Sequence, residues 1–226
     1  MNWQDEGYLL SKRKFRENAN IINVFTQKYG RVSGIVYGGN SRKIRNFLQI
    51  SNKIYIFYNS KNDNKVGYFK TEIINPVSPK YFNDNKKTST LLSLSAILNI
   101  LLPESQPYNK IYNSLNDLID NFDKEDWYIL YIFWELNLIK ELGFGPNLEI
   151  YKKKTPENND YSNIQIDGSN YQVPNFLITK KINFDLSNEL IRKSLSFTRN
   201  VMLNKFFLPN NLIFPKARII LENYFN

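Results

Sequence analysis

Cysteine and histidine are both missing from this 226-residue chain. The first absence excludes disulfides, thiolate nucleophiles, iron–sulfur clusters and cysteine-held zinc. The second removes serine–histidine–acid triads, imidazole general bases and imidazole metal ligands. Most hydrolytic chemistry is thereby closed off, leaving carboxylate-held magnesium and lysine or tyrosine chemistries. Long apolar runs are lacking as well. No window approaches the ~20 residues a membrane-spanning helix needs, and the nearest, Trp127 to Ile139, carries Glu135 near its centre. The opening Met-Asn-Trp-Gln-Asp-Glu is acidic where a secretory leader would be basic and then apolar. A soluble cytoplasmic protein with no membrane partner is the expectation.

What is present is skewed. There are 33 asparagines but 3 alanines, and Ile, Lys, Tyr and Phe are abundant, all types with A/T-rich codons. Apolar residues make up 42% of the chain and aromatics 15%, enough for a sizeable core, which argues against wholesale disorder. The net charge of +9 says little in so biased a composition, but its distribution says more. Residues 1–80 hold 14 Lys/Arg against 5 Asp/Glu, whereas residues 81–226 hold 16 of each. Five of the eight arginines (Arg13, Arg16, Arg31, Arg42 and Arg45) fall in the first 45 residues. Drift toward A/T would favour lysine, so clustered arginine points to a use for its planar fork on phosphates or base edges. A basic N-terminal module followed by a neutral one suggests polyanion binding joined to a second role.

The β-branched and aromatic residues of Gly7–Phe15, Asn20–Tyr29, Val32–Tyr37, Leu48–Tyr58 and Val66–Ile74 predict five short strands separated by turn signals. Five strands in so short a span fit a small closed Greek-key barrel of the OB type, a common oligonucleotide binder, better than a sandwich. Asn75 to Lys80 reads as a linker. Beyond it the period becomes helical: a helix capped by Thr88-Ser89-Thr90 and ended by Pro103, then helices over Tyr108–Asn121, Glu125–Leu142, Leu186–Phe207 and Lys216–Tyr224. The expected class is therefore α+β and multidomain. Residues 1–80 form an OB-fold nucleic-acid-binding domain, and residues 81–226 an all-helical domain with a polar, irregular insertion at about 151–175.

The strongest local feature is Gly38-Gly39-Asn40-Ser41-Arg42-Lys43-Ile44-Arg45. Two glycines let backbone N–H groups approach a phosphate, and a hydroxyl and three cations follow at once. The plain alternative is a solvated turn between strands three and four. Arg13, Lys14 and Arg16 lead into the first hairpin next to Glu17, as an electrostatic rim or as a surface with one local ion pair. Phe25, Tyr29, Tyr37, Tyr55, Phe57 and Tyr58 offer stacking faces for unpaired bases or else are barrel core. Tyr37, Tyr55 and Phe57 are the chosen stacking candidates. Asp117 and Asp120, near Asp123, Glu125 and Asp126, form the densest carboxylate group, a magnesium site or a solvated helix end. Trp127, Tyr131, Trp134 and Leu138 fall at helical spacing and read as core.

Several stretches, in order along nearly the whole chain, resemble the RecO family of bacterial recombination and DNA-repair mediators. These are Asp5-Glu6-Gly7-Tyr8-Leu9-Leu10 with Arg13, Glu17, Val24, Thr26 and Gly30, the Gly38-to-Gln49 loop, and Trp134-Glu135-Leu136 through Gly143-Phe144-Gly145-Pro146 to Leu148. Val173-Pro174-x-Phe176-Leu177 and Pro215-x-Ala217-Arg218 complete the set. The resemblance implies an N-terminal OB domain and a C-terminal helical domain that bind single- and double-stranded DNA and anneal complementary strands. It further implies partnership with RecR and with the acidic tail of single-stranded-DNA-binding protein, so that RecA loads onto coated DNA, with no catalysis and no cofactor. Many members carry a four-cysteine zinc module after the Leu-Gly-Phe stretch. Here Tyr151 and Lys154 stand at the first two of those positions, so no zinc is expected.

The expected function is thus a non-enzymatic DNA mediator at the nucleoid. Arg13, Lys14, Arg16, Arg31, Gly38, Gly39, Ser41, Arg42, Lys43 and Arg45 meet DNA, and Arg192, Lys193, Arg199 and Lys205 are the candidates for the acidic tail, or else a solvated helix face. An OB-type RNA-binding factor and a carboxylate–magnesium nuclease are the rivals.

Overall fold

A computed structural model describes residues 2–38, 41–60, 66–155, 159–181 and 186–226, with the side chains of Arg42, Lys43 and Lys154 outside that description. The first third forms β1 (Asn2–Arg16), β2 (Ala19–Thr26), β3 (Gly30–Tyr37), β4 (Lys53–Asn59) and β5 (Tyr68–Asn75), a sheet that closes on itself in the order β1-β2-β3-β5-β4. Closure depends on the length of β1. Its first half pairs with β4 and its second half with β2, and register shifts at Leu9/Ser11 and Lys14/Arg16 coil the strand between them. The seam is narrow: β3 and β5 meet in parallel at Ile35 and Tyr68. Gly34 allows that approach, because a Cβ there would lie 2.4 Å from the Phe69 ring.

Alternation along each strand turns Leu9, Ile22, Val24, Val32, Val36, Ile54, Ile56 and Phe69 inward, with Leu48 beside them. Each contributes about 1.5–3 kcal/mol by leaving water. Trp3 closes one end, stacked between Tyr29 at 4.0 Å and Tyr58 at 4.8 Å.

Three connections differ from expectation. The stretch after β3 is not a plain turn but a short helix, α1 (Arg42–Phe47), whose Ser41 side chain accepts the Ile44 N–H while Ile44 and Phe47 pack on the barrel core. Leu48 caps this helix and is buried, so β4 starts later, at Lys53. The Asn75–Lys80 stretch is docked rather than a linker. It forms α2 (Val77–Lys80), with Val77 buried and the Ser78 N–H donated to Asn52 Oδ1 at 2.9 Å. Helix α3 (Asn85–Leu101) is capped by Asp84, which accepts the Lys87 N–H at 2.9 Å, and not by Thr88-Ser89-Thr90. Inside the helix the Thr90 hydroxyl turns back to the Lys86 carbonyl, the usual interior use of a hydroxyl.

α3 lies against β1 and β2, where Asn99 Oδ1 accepts from Asn23 Nδ2 at 2.7 Å. Helix α4 (Asn109–Asp120) begins with Tyr112 buried against Tyr8 and Phe25. These contacts carry the first compact unit past residue 80. It comprises Met1–Tyr112 with Pro215–Arg218, and the second comprises Asn113–Phe214 with Ile219–Asn226.

The second unit contains the rest of α4, α5 (Trp127–Glu141), a 3₁₀ turn (Leu148–Lys154), α6 (Asn175–Thr179), α7 (Asn188–Met202) continued by a π-turn (Leu203–Phe207), and most of α8 (Lys216–Asn223). It is not all helical. The polar insertion contains a hairpin of β6 (Tyr161–Ile166) and β7 (Ser169–Pro174). Asp167 and Gly168 take φ of 49° and 81°, the two positive values that a tight Asp-Gly hairpin turn requires. Ile164, Tyr171 and Val173 are its buried side. Between α5 and α7, the fully buried Glu135 accepts hydroxyls from Tyr131 at 2.7 Å and Thr198 at 2.5 Å.

Candidate nucleic-acid interface

One end of the barrel gathers the N-terminal cations. β1 and β2 stay paired out to Arg16 and Ala19, and Ala19 also pairs with Tyr37. The Gly38 N–H then donates to the Asn18 carbonyl at 2.8 Å, tying the hairpin tip to the loop that follows β3. Gly38 makes this turn at φ +69°, a conformation that costs glycine little. Ser41 follows, its N–H bonded to the Gly38 carbonyl at 2.8 Å, and then α1 carries Arg45 outward.

Arg13, Lys14, Arg16 and Arg45 are exposed, and none forms an ion pair among the described residues. The Arg16 guanidinium lies 5.2 Å from the centre of the Phe15 ring. Lys12, which the sequence reading passed over, joins the two halves of the cluster. Its Nζ donates to the Leu48 carbonyl at the end of α1, 2.8 Å away. Burial, and secondarily the charge of Arg45, hold its pKa below the usual lysine value. Like charges at one end of the barrel add to the local positive potential and attract a polyanion. The run Lys12-Arg13-Lys14 was the available signal.

Gly39 and the side chains of Arg42 and Lys43 lie outside the described residues. Arg31 does not join the cluster. It sits at the opposite end of β3 from Tyr37, and its Nε donates to the Leu102 carbonyl at 2.7 Å, fastening the end of α3.

The aromatic candidates separate by face. Phe25 is fully buried, while Tyr29 and Tyr58 stack on Trp3. With Ile54 and Ile56 inward, Tyr55 and Phe57 point outward, their rings 5.0 Å apart edge to face. Tyr37 is half exposed, and its ring lies 5.4 Å from that of Tyr68, a residue that strand alternation alone could not orient.

The cations proposed for an acidic tail have intramolecular work. Lys193 donates to Gln172 at 2.9 Å, Lys205 pairs with Asp167 at 2.5 Å and Arg199 pairs with Glu222 at 3.1 Å, while Arg192 is half buried. Two of these contacts hold the β6–β7 hairpin. Tyr151, where the zinc module would start, donates its hydroxyl to the Gln165 carbonyl at 2.5 Å. That position is occupied by a structural hydrogen bond. Among the described residues, no group of three or more His, Cys, Asp or Glu side chains is arranged to hold a metal, the Asp117–Asp126 region included. No helix among them is long and apolar enough to cross a membrane.

Comparison with known proteins extends this picture. The domain family described as "Recombination protein O N terminal" matches residues 1–77, and "Recombination protein O C terminal" matches residues 83–150. The protein named DNA repair protein RecO from Cereibacter sphaeroides (strain ATCC 17029 / ATH 2.4.9) is 35% identical over 148 residues, covering 66% of this chain and 62% of its own length. Its counterpart from Ehrlichia chaffeensis is 36% identical over 150 residues, covering 66% and 61%. The match therefore spans somewhat less than two thirds of these relatives. The Wolbachia sp. subsp. Drosophila simulans protein of the same name is 27% identical and aligns over 96% of this chain and 98% of its own. A solved asparaginyl-tRNA synthetase from Entamoeba histolytica, at TM-score 0.31 and 9% identity over 95% of this chain and 60% of its own, bears on neither fold nor function. With both halves of one family matched in order, this chain belongs to the RecO family.

Proposed function

We propose that this protein is a DNA-binding mediator of recombination and repair, and that its five-stranded barrel is an OB-fold. The strand order β1-β2-β3-β5-β4, with a helix between β3 and β4, supports the fold reading. The observation that carries the function is the exposed cluster of Arg13, Lys14, Arg16 and Arg45, brought together by the Gly38–Asn18 hydrogen bond. Cations without acidic partners neutralise phosphates, release counterions and let two like-charged strands approach each other for annealing. The protein is not an enzyme. It binds single- and double-stranded DNA in the cytoplasm and, with RecR and the single-stranded-DNA-binding protein, helps RecA onto coated strands. An acidic tail reaching Lys205 or Arg199 would have to displace Asp167 or Glu222, an exchange of one carboxylate for another.

The test is the salt dependence of binding. Replacing Arg13, Lys14, Arg16 and Arg45 with Ala weakens binding to both DNA forms. It flattens the slope of log K against log salt by about 0.7 per lost contact on single strands and about 0.9 on duplex. An unchanged slope in a folded variant overturns the assignment.

A further inference from the structure

On the other side of the barrel, the register of β1, β4 and β5 sets outward side chains in three rows across the sheet. The rows are Asn2–Asn59–Tyr68, Gln4–Phe57–Lys70 and Glu6–Tyr55–Glu72. The first two rows line a shallow groove of about 920 Å³, together with Trp3, Tyr58, Thr71 and Glu72. Its rings are open: Phe57 is 37% exposed and Tyr68 43%. Cross-strand diagonals place Phe57 and Tyr68 about 7–8 Å apart. Tyr68 also touches Tyr37, which immediately precedes Gly38 and the cationic hairpin tip.

We propose that this groove holds the unpaired bases of a single DNA strand whose phosphates begin at the cationic tip, an inference that rests on the DNA-binding reading above. Rings with a free face stack on any base, and stacking does not require a particular sequence. The amides of Asn2, Gln4 and Asn59 each offer donors and an acceptor, which suits exposed base edges of any kind. Lys70, opposite Phe57, supplies a cation for the backbone that must follow the bases. A peptide strand does not fit here. β4 is paired on both sides, so no edge is free to accept backbone hydrogen bonds. A duplex does not fit either, because its base faces are already covered by their neighbours.

The same rows separate the aromatics. Tyr55 is half-buried and does not line the groove; its row neighbours are Glu72 and Glu6, the latter paired with Lys53 at 2.7 Å. Phe57 and Tyr68, with Tyr37, are therefore the stacking platform, and Tyr55 is not part of it.

The experiment compares binding of an oligothymidylate and of a duplex to the full-length wild-type protein and to the double variant Phe57→Ala/Tyr68→Ala. Loss of two stacking rings lowers single-strand affinity at least tenfold, while duplex affinity and its salt slope stay at wild-type values. Tyr55→Ala leaves both unchanged. Equal loss on both DNA forms, no loss on either, or a Tyr55→Ala defect matching that of the double variant overturns the groove. A wild-type protein that binds neither form overturns the DNA reading itself, so the two failures are distinct. Because a double truncation can disturb folding, nitration of tyrosine in the unaltered protein gives a second readout. Bound oligothymidylate protects Tyr68 and duplex does not; equal reactivity with and without the single strand refutes the proposal.

Discussion

In the barrel unit, Arg13, Lys14, Arg16 and Arg45 project without ion-pair partners among the described residues. In the helical unit, Lys180, Arg199 and Lys205 each face a carboxylate of their own unit: Glu149, Glu222 and Asp167. The barrel unit also has a paired cation, Lys53 with Glu6 at 2.7 Å, but the cations at its hairpin tip project outward. A paired cation offers little net field to a distant phosphate, whereas unpaired cations on one tip add their potentials. The contrast lies in where the cations sit: three in the helical unit are held by carboxylates, whereas those at the barrel tip are not. Part of the excess in residues 1–80 is gathered at one end of the barrel, while Arg31 and Lys53 are engaged elsewhere.

Three further measurements break or sharpen that contrast, beside the salt-slope and stacking tests. The largest effect is on the helical unit. Glu135→Ala removes the buried carboxylate that accepts the Tyr131 and Thr198 hydroxyls, leaving Thr198 its bond to the Leu195 carbonyl, and costs about 2–4 kcal/mol in urea unfolding. The DNA salt slope of the folded variant stays unchanged, since the cation cluster belongs to the other unit. A slope that fell with stability would dissolve the division of labour.

The next concerns the barrel unit at high pH. Burial, and then the charge of Glu6, push the Tyr112 phenol well above its ordinary pKa of 10.0. A phenol that stays protonated when folded contributes stability that is whole below pH 10 and is lost as the unfolded chain ionises above it. The loss is up to about 1.4 kcal/mol per pH unit. Tyr112→Phe makes the fall between pH 10 and 11.5 shallower, as followed by chemical unfolding at each pH. An identical profile in the variant would remove Tyr112 from the account.

The smallest effect is Lys205→Ala. It breaks a pair whose acid is largely exposed, costs under about 1 kcal/mol, and leaves DNA affinity within twofold. A large loss of DNA binding would place the helical unit's cations on the nucleic acid after all.

Much of the barrel was legible beforehand, because a period of two with β-branched and aromatic residues has few other outcomes. The long helices were legible for the matching reason, a sustained helical period bounded by Pro103 and Gly143. The hairpin in the polar insertion was missed although Asp167-Gly168 is a hairpin dipeptide, because the surrounding Asn and Lys bias masked the alternation of Ile164, Tyr171 and Val173. The cap of α3 was misplaced because Thr88, Ser89 and Thr90 are good caps locally. Which residue caps depends on where the chain enters the helix, and that entry is held by Tyr81, whose carbonyl accepts the Thr88 hydroxyl.

For the binding surface, residue types and charge asymmetry were present in the sequence, but their grouping was not. Sequence alone determined that cysteine and histidine chemistry is absent, that positive charge concentrates in the first 80 residues, and that strands precede helices. These depend on composition and local period. Tertiary structure decided that Arg31 fastens α3 while Lys12 joins the cation cluster. It also decided that Phe25 is core and Tyr68 is surface, and that Tyr55 lies between carboxylates while Phe57 lies between an amide and a lysine. Those outcomes depend on strand register and barrel closure, which bring together residues distant in sequence and assign each side chain to one face.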